Sequence, residues 1–184
     1  MDTPAKLFKN TPLEQWVDAS FAPNPETNRG KSIIGYVVKF LGMTTHWKTI
    51  MSKRVCDSSS EAECNALNEI RKKNRWQLDL QNDLGLFVPY GPTQTWEDNT
   101  AATQLTKPAT CHKRSKHFGI EWYATKEAIE LGEMKVQFVP TDFQDADLLT
   151  KPTNGATFFR PRDELMGTLI LQLYFGTMMP PQPK

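Results

Sequence analysis

Short apolar runs separated by turn formers fill the first third of the chain, and a long helical pattern follows them. Leu13 to Phe21 predicts a first strand, closed by the turn-rich Pro23-Asn24-Pro25. Ser32 to Leu41 is rich in β-branched and aromatic residues and predicts a second strand with a bend at Gly35. Gly42 permits a tight turn into a third strand, Thr44 to Met51, where Trp47 and Ile50 supply the apolar positions. Three strands joined by short connections predict an antiparallel meander.

Ser59 to Leu84 then predicts a long helix, capped by Ser58 or Ser59, with Glu61 in its first turn and Gly85 as its stop. Its expected apolar face is Ala62, Ala66, Leu67, Ile70, Leu78 and Leu84. The Gly91-Pro92 turn leads to a short strand, Thr93 to Glu97, and a small helix, Asn99 to Leu105. His117 to Leu131 reads as a helix stopped by Gly132, and Met134 to Val139 alternates as a strand. Asp142 to Leu149 reads as a short helix before Pro152, and Phe158 to Met166 as a further helical stretch. A meander followed by alternating units predicts an α/β fold: a mixed sheet with helices on its faces, the first strand central and the fourth beside it. The expected organisation is an N-terminal arm over 1–12, one domain over 13–167 and a C-terminal tail over 168–184.

Composition narrows the function classes. With 184 residues, 39% hydrophobic and 23% charged, the chain has the makeup of a soluble globular domain and not of a disordered one. A net charge of +1 offers no global attraction to nucleic acid, so any such contact rests on local patches. Cys56, Cys64 and Cys111 have no zinc-ligand spacing and read as free thiols, which points to an intracellular setting, cytoplasm or nucleus. The chain opens without a signal-peptide pattern, and its longest apolar run near the C-terminus, Leu169 to Phe175, is too short to span a bilayer.

The chemical signal is a set of four acids in specific local contexts. Asp18 lies in Trp16-Val17-Asp18-Ala19-Ser20 near a strand end, and Glu63 follows Ser58-Ser59-Ser60-Glu61-Ala62 at a helix start. Asp98 closes Trp96-Glu97-Asp98-Asn99, and Asp147 lies in Ala146-Asp147-Leu148-Leu149-Thr150-Lys151-Pro152. Carboxylates that converge repel one another unless divalent cations hold them together. Oxygen-only ligands suit Mg2+ or Mn2+ over zinc, and two such ions roughly 4 Å apart would clamp the attacking and leaving oxygens of a phosphodiester displacement. A lone Asp at a strand end is more often a turn residue than a ligand, so the argument rests on all four together. The neighbouring acids Glu97, Asp142 and Asp145 read as solvated.

Two stretches carry only positive charge. The first holds Arg29, Lys31, Lys39, Lys48, Lys53 and Arg54; the second holds Lys107, Lys113, Arg114 and Lys116, with His112 and His117 beside them. Cations of this kind can track a phosphate backbone, and the second stretch, lying between the third and fourth acids, is the stronger candidate.

Together these motifs resemble the ribonuclease H domain of copia-type LTR-retrotransposon polyproteins. The matching segments are Asp18-Ala19-Ser20, Ser59-Ser60-Glu61-Ala62-Glu63, Asp98-Asn99, His112-Lys113-Arg114-Ser115-Lys116-His117 and Ala146 to Pro152, supported by Val139-Pro140-Thr141, Gln144, Phe159 and Arg162 to Leu165. The likeness runs from Leu13 to Gly167. It implies a ribonuclease H-like fold and an endonuclease that cuts the RNA strand of RNA–DNA hybrids with two Mg2+ or Mn2+ ions. Asp18, Glu63, Asp98 and Asp147 would be catalytic metal ligands, Lys107, Lys113, Arg114, Lys116 and His117 would hold nucleic acid, and a reverse transcriptase domain would share the polyprotein. Departures from the family pattern are Cys64 after the second Glu, Glu97 before Asp98, and a serine run for Ser-Thr. Many cellular relatives also carry a histidine before the last helix, which Thr141 to Gln144 lacks. Two other functions fit parts of the pattern. One is a catalytically silent binding or structural module. The other is a transposase or integrase pairing Asp98 with Glu133, which leaves Glu63 and Asp147 unexplained.

Overall fold

The computed structural model describes residues 13–85, 91–107, 120–153 and 155–167. Among these, five strands, β1 (Leu13–Ser20), β2 (Lys31–Phe40), β3 (Met43–Val55), β4 (Thr93–Glu97) and β5 (Met134–Phe138), form one mixed sheet in the order β3-β2-β1-β4-β5. The helices are α1 (Pro25–Asn28), α2 (Ser59–Asp83), α3 (Thr100–Leu105), α4 (Ile120–Glu130) and α5 (Ala156–Leu165). β1–β2 and β2–β3 are antiparallel, whereas β1–β4 and β4–β5 are parallel. The meander, the central first strand and its pairing with the fourth are as the sequence predicts.

Strand alternation sorts the side chains onto two faces. Leu13, Val17 and Ala19 of β1 and Ile34, Tyr36 and Val38 of β2 form a core with Ala62, Ala66, Leu67 and Ile70 of α2. Trp16 and Asp18 of β1, with Gly35 and Val37 of β2, belong to the opposite face. β2 reverses into β3 through Leu41 and Gly42, both at positive φ, the geometry that matches the twist of a hairpin. α4 packs on α2, and α3 bridges α2 and β5.

Several expectations need correction. Pro25–Asn28 is a single helical turn and not only a loop, because Pro25 sets the φ of a first helical position. β3 runs to Val55, four residues beyond the predicted end. α2 carries its apolar face only as far as Leu78: Leu84 is exposed, and Asn74, Gln77 and Gln81 are buried instead. Of those amides, the Asn74 side chain donates to the Glu133 carbonyl at 3.1 Å.

The segment after β5 is not one helix. Two 3-10 turns, Thr141–Phe143 and Asp147–Leu149, flank Gln144 in extended geometry. Gln144 is fully buried, donates to the Val17 carbonyl at 2.9 Å, and accepts from the Ala146 N–H at 3.3 Å. Its amide pins the chain to β1 and breaks the helical run.

Gly35 lies within the continuous β2 ladder and is a contact point. A Cβ there would lie 2.7 Å from the Thr150 methyl and 2.8 Å from Leu149 Cβ, so only glycine lets the 147–149 turn rest on β2. Among the described residues no helix is long and apolar enough to cross a membrane.

Candidate metal centre

Three elements deliver one acid each to the same edge of the sheet. Asp18 comes from the C-terminal half of β1, beside Gly35 in register. Glu63 comes from the start of α2, whose position is set by capping. Ser58 accepts from the Glu61 N–H at 3.2 Å, and the Glu61 carboxylate accepts from the Asp57 N–H at 2.7 Å. Asp98 follows β4, where Asn99 caps α3 by accepting from the Ala102 N–H at 3.0 Å, and Thr141 donates to Asp98 Oδ2 at 2.9 Å. One oxygen each of Asp18, Glu63 and Asp98 lies within 4.8 Å of the other two.

Asp147 adjoins this trio without joining it. Lys151, one turn later, places its Nζ 2.8 Å from Asp147 Oδ1 and 3.4 Å from Asp18 Oδ1. Thr150 donates to the other Asp18 oxygen. Neither residue stood among the expected site residues, although Lys151 lies four residues after Asp147, the spacing at which helical side chains meet.

The electrostatics are those of crowded, desolvated acids. Burial lifts the Asp18 carboxyl to about 6, with Asp147 and Asp98 adding to the rise and Lys151 and Thr150 opposing it. Burial, then the charges of Asp18 and Asp98, lift Glu63 to about 9. Desolvation works against the Lys151 ammonium, but Asp18 and Asp147 outweigh it and raise its pKa. Glu63 Oε2 is buried without a hydrogen-bond partner. A buried, unpaired carboxylate oxygen beside two other carboxylates is what a hard cation satisfies, so the donor set fits a Mg2+- or Mn2+-type ion.

Two neighbours read as solvated are buried. Glu97 is 0% exposed on the α2 side of β4, where it accepts from the Asn99 N–H at 3.0 Å. Burial, then the Glu63 charge, holds its carboxyl well above the usual range. Asp145 is buried between Lys39 Nζ at 2.7 Å and Arg160 Nη1 at 2.8 Å. Asp142 is exposed, as expected. Lys39, counted with the first cationic stretch, is 4% exposed and tied to Asp145 and Glu164, so it is not available to a phosphate.

Of the second stretch, Lys107 is exposed just after α3, and Lys113, Arg114, Lys116 and His117, with His112, lie outside the described residues. The pairing of Asp98 with Glu133 fails on geometry. Glu133 precedes β5, its carbonyl accepts from the Thr93 N–H at the start of β4, and its carboxylate pairs with Arg75. Asp98 lies beyond the far end of that strand, about 16 Å away at the usual rise per residue.

Comparison with known proteins gives the same picture. No family model matches the chain. It is 30% identical over 146 residues to the retrovirus-related Pol polyprotein from transposon RE2 of Arabidopsis thaliana, and 31% over 146 residues to that from transposon RE1. It is 32% identical over 143 residues to the Pol polyprotein from transposon TNT 1-94 of Nicotiana tabacum. These alignments cover 76–79% of this chain but only 10% of each relative, so the chain spans about a tenth of their length.

Among solved structures, LC11-RNase H1, isolated from compost, superposes with a TM-score of 0.55 at 15% identity, covering 76% of this chain and 92% of that one. The same enzyme in complex with an RNA/DNA hybrid gives 0.52 at 19% identity, covering 74% and 92%. The N-terminal RNase H domain of a Mycobacterium tuberculosis protein gives 0.51 at 14% identity, covering 89% and 99%. The chain is therefore similar to a segment of the retrovirus-related Pol polyproteins of transposons and has the ribonuclease H fold.

Proposed function

We propose that this chain is a copia-type ribonuclease H domain, an endonuclease that cleaves the RNA strand of RNA–DNA hybrids. The observation that carries the reading is the Asp18–Glu63–Asp98 cluster, with its buried, unpartnered Glu63 oxygen. Asp18, Glu63 and Asp98 would hold one divalent ion, and Asp147, with Asp18, would contribute to a second. Bound there, Mg2+ or Mn2+ supplies Lewis-acid stabilisation of charge on phosphodiester oxygens and lowers the pKa of water.

The chain's own residues do the positioning. β1 and α2 present Asp18 and Glu63 from rigid elements, and Thr141 orients Asp98 through its hydroxyl. Lys107 and the cationic residues from Lys113 to His117 would follow the phosphate backbone, supplying affinity that falls with salt. The hybrid carried by one structural neighbour and the Pol relatives support this substrate and a reverse transcriptase partner on the same polyprotein. Action inside the cell, in cytoplasm or nucleus, follows from the same reading.

The test is cleavage of end-labelled RNA–DNA hybrid, duplex DNA and duplex RNA of one sequence, with Mg2+, with Mn2+ and with EDTA. The expected result is metal-dependent cutting of the RNA strand in the hybrid alone. Intact hybrid under every condition, from protein that binds Mn2+, would support the silent module instead.

A further inference from the structure

Lys151 stands where the proposed function needs a cation. Its ammonium lies between Asp147 Oδ1 and Asp18 Oδ1, at 2.8 and 3.4 Å, and Asp18 is also a member of the trio with Glu63 and Asp98. The turn that carries it is held in place by close packing, since Leu149 and Thr150 rest on Gly35. The side chain itself is 40% exposed and ends a flexible four-carbon stem, so it can swing to water without disturbing the core. Asp18 and Asp147 are thus already neutralised in part by a tethered monovalent charge, whereas Glu63 has no cation in contact among the described residues.

We propose that Lys151 occupies the second cation position, between Asp18 and Asp147, and must leave before a second divalent ion can bind there. The two positions then fill in order, first at Asp18, Glu63 and Asp98, and second at Asp147 once the lysine has moved aside. A divalent ion and an ammonium cannot share the same oxygens at contact distance without strong repulsion, so each weakens the other's hold. Displaced, the ammonium stays tethered at the rim of the site, where a phosphate of a bound nucleic acid would give it a new partner. Substrate and second ion would therefore favour each other's binding, because both reward the outward position of Lys151.

This inference rests on the metal-binding reading above, and its test separates the two. Mn2+ binding to the whole chain is followed by calorimetry and by the paramagnetic resonance signal of free Mn2+, without substrate. The parent is expected to show one tight and one weak site. Lys151→Met should tighten the weak site about tenfold or more and the tight one, which shares Asp18, by clearly less, tenfold being about 1.4 kcal/mol. Lys151→Arg, which retains the charge, should keep it weak, and the double variant Lys151→Met, Asp147→Asn should lose it. Circular dichroism of each variant confirms the fold. Equal constants in the parent and Lys151→Met would overturn the role of Lys151 while leaving the metal centre standing. A parent that binds no Mn2+ at all would overturn both.

Discussion

Two clusters of acids lie around β1 and β2, and they are built on opposite principles. Around Lys39, Asp145 and Glu164 each have a cation in contact. Asp145 takes Lys39 at one oxygen and Arg160 at the other, Glu164 takes Lys39 at 3.0 Å, and the ammonium also sits 4.4 Å over the Trp16 ring. Around Asp18, four acids meet Lys151 as the one cation in contact with them among the described residues, and Glu63 keeps a bare buried oxygen. Asp145 and Asp147 are two residues apart in the chain yet serve different clusters, because Gln144 holds the intervening segment extended between two turns. The first cluster is an ion network whose salt bridges support the fold. The second carries surplus negative charge, which burial makes costly and an added cation would relieve.

The sharpest contrast comes from removing one acid from each. Glu63→Gln should cut hybrid cleavage by about 10³-fold. The metal-free variant should melt no lower than the parent at pH 8, because folding no longer has to bring a proton onto Glu63, whose carboxyl rises to about 9. Glu133→Gln, at the remote Arg75 pair, should leave turnover at the parental level. Asp145→Asn should behave in the opposite way to Glu63→Gln: about 3 kcal/mol of stability lost in urea unfolding, with cleavage per folded molecule retained. If both substitutions destabilise the metal-free protein alike, the distinction between the clusters collapses.

Gly35→Ala tests whether packing holds the open cluster together. The added methyl would meet Thr150 and Leu149 at under 3 Å. A loss of about 2 kcal/mol is expected by denaturant titration, together with weaker Mn2+ binding at the position that uses Asp147. Full stability would mean the 147–149 turn can lift from the sheet freely.

The smallest effect is a pH dependence of the metal-free fold. Asp18 rises from 3.8 to about 6, and Glu63 from 4.5 to about 9. Folded pKa values above the unfolded ones mean that the folded state binds protons more readily. Their stabilisation is complete below about pH 4 and is lost as pH rises through 6 and then 9. The melting midpoint in EDTA should fall between about pH 5.5 and 8.5, chiefly through Glu63. Saturating Mn2+, which favours the ionised acids, should flatten that slope. A pH-independent midpoint in EDTA would show that the acids are not crowded.

Local pattern determined much of this molecule. Alternating and β-branched runs specify the meander, a Ser58–Glu61 cap specifies where α2 begins, and Asn99 specifies the start of α3; these depend on neighbours a few residues away. Asp18, Glu63 and Asp98 were legible for the same reason, since each sits at the end or start of such an element.

What tertiary structure decided was the environment of each charge. Nothing local distinguishes Glu97, which is sealed under α2, from Asp142, which faces water. Lys39 and Asp145 are 106 residues apart, and Lys151 reaches Asp18 across 133. The cost of a buried charge, and whether a cation offsets it, is set by the groups that folding brings within a few ångströms. The acids were therefore readable from sequence, while the split between a neutralised network and a cation-seeking site arises only where β1, α2, β4 and the 147–149 turn meet.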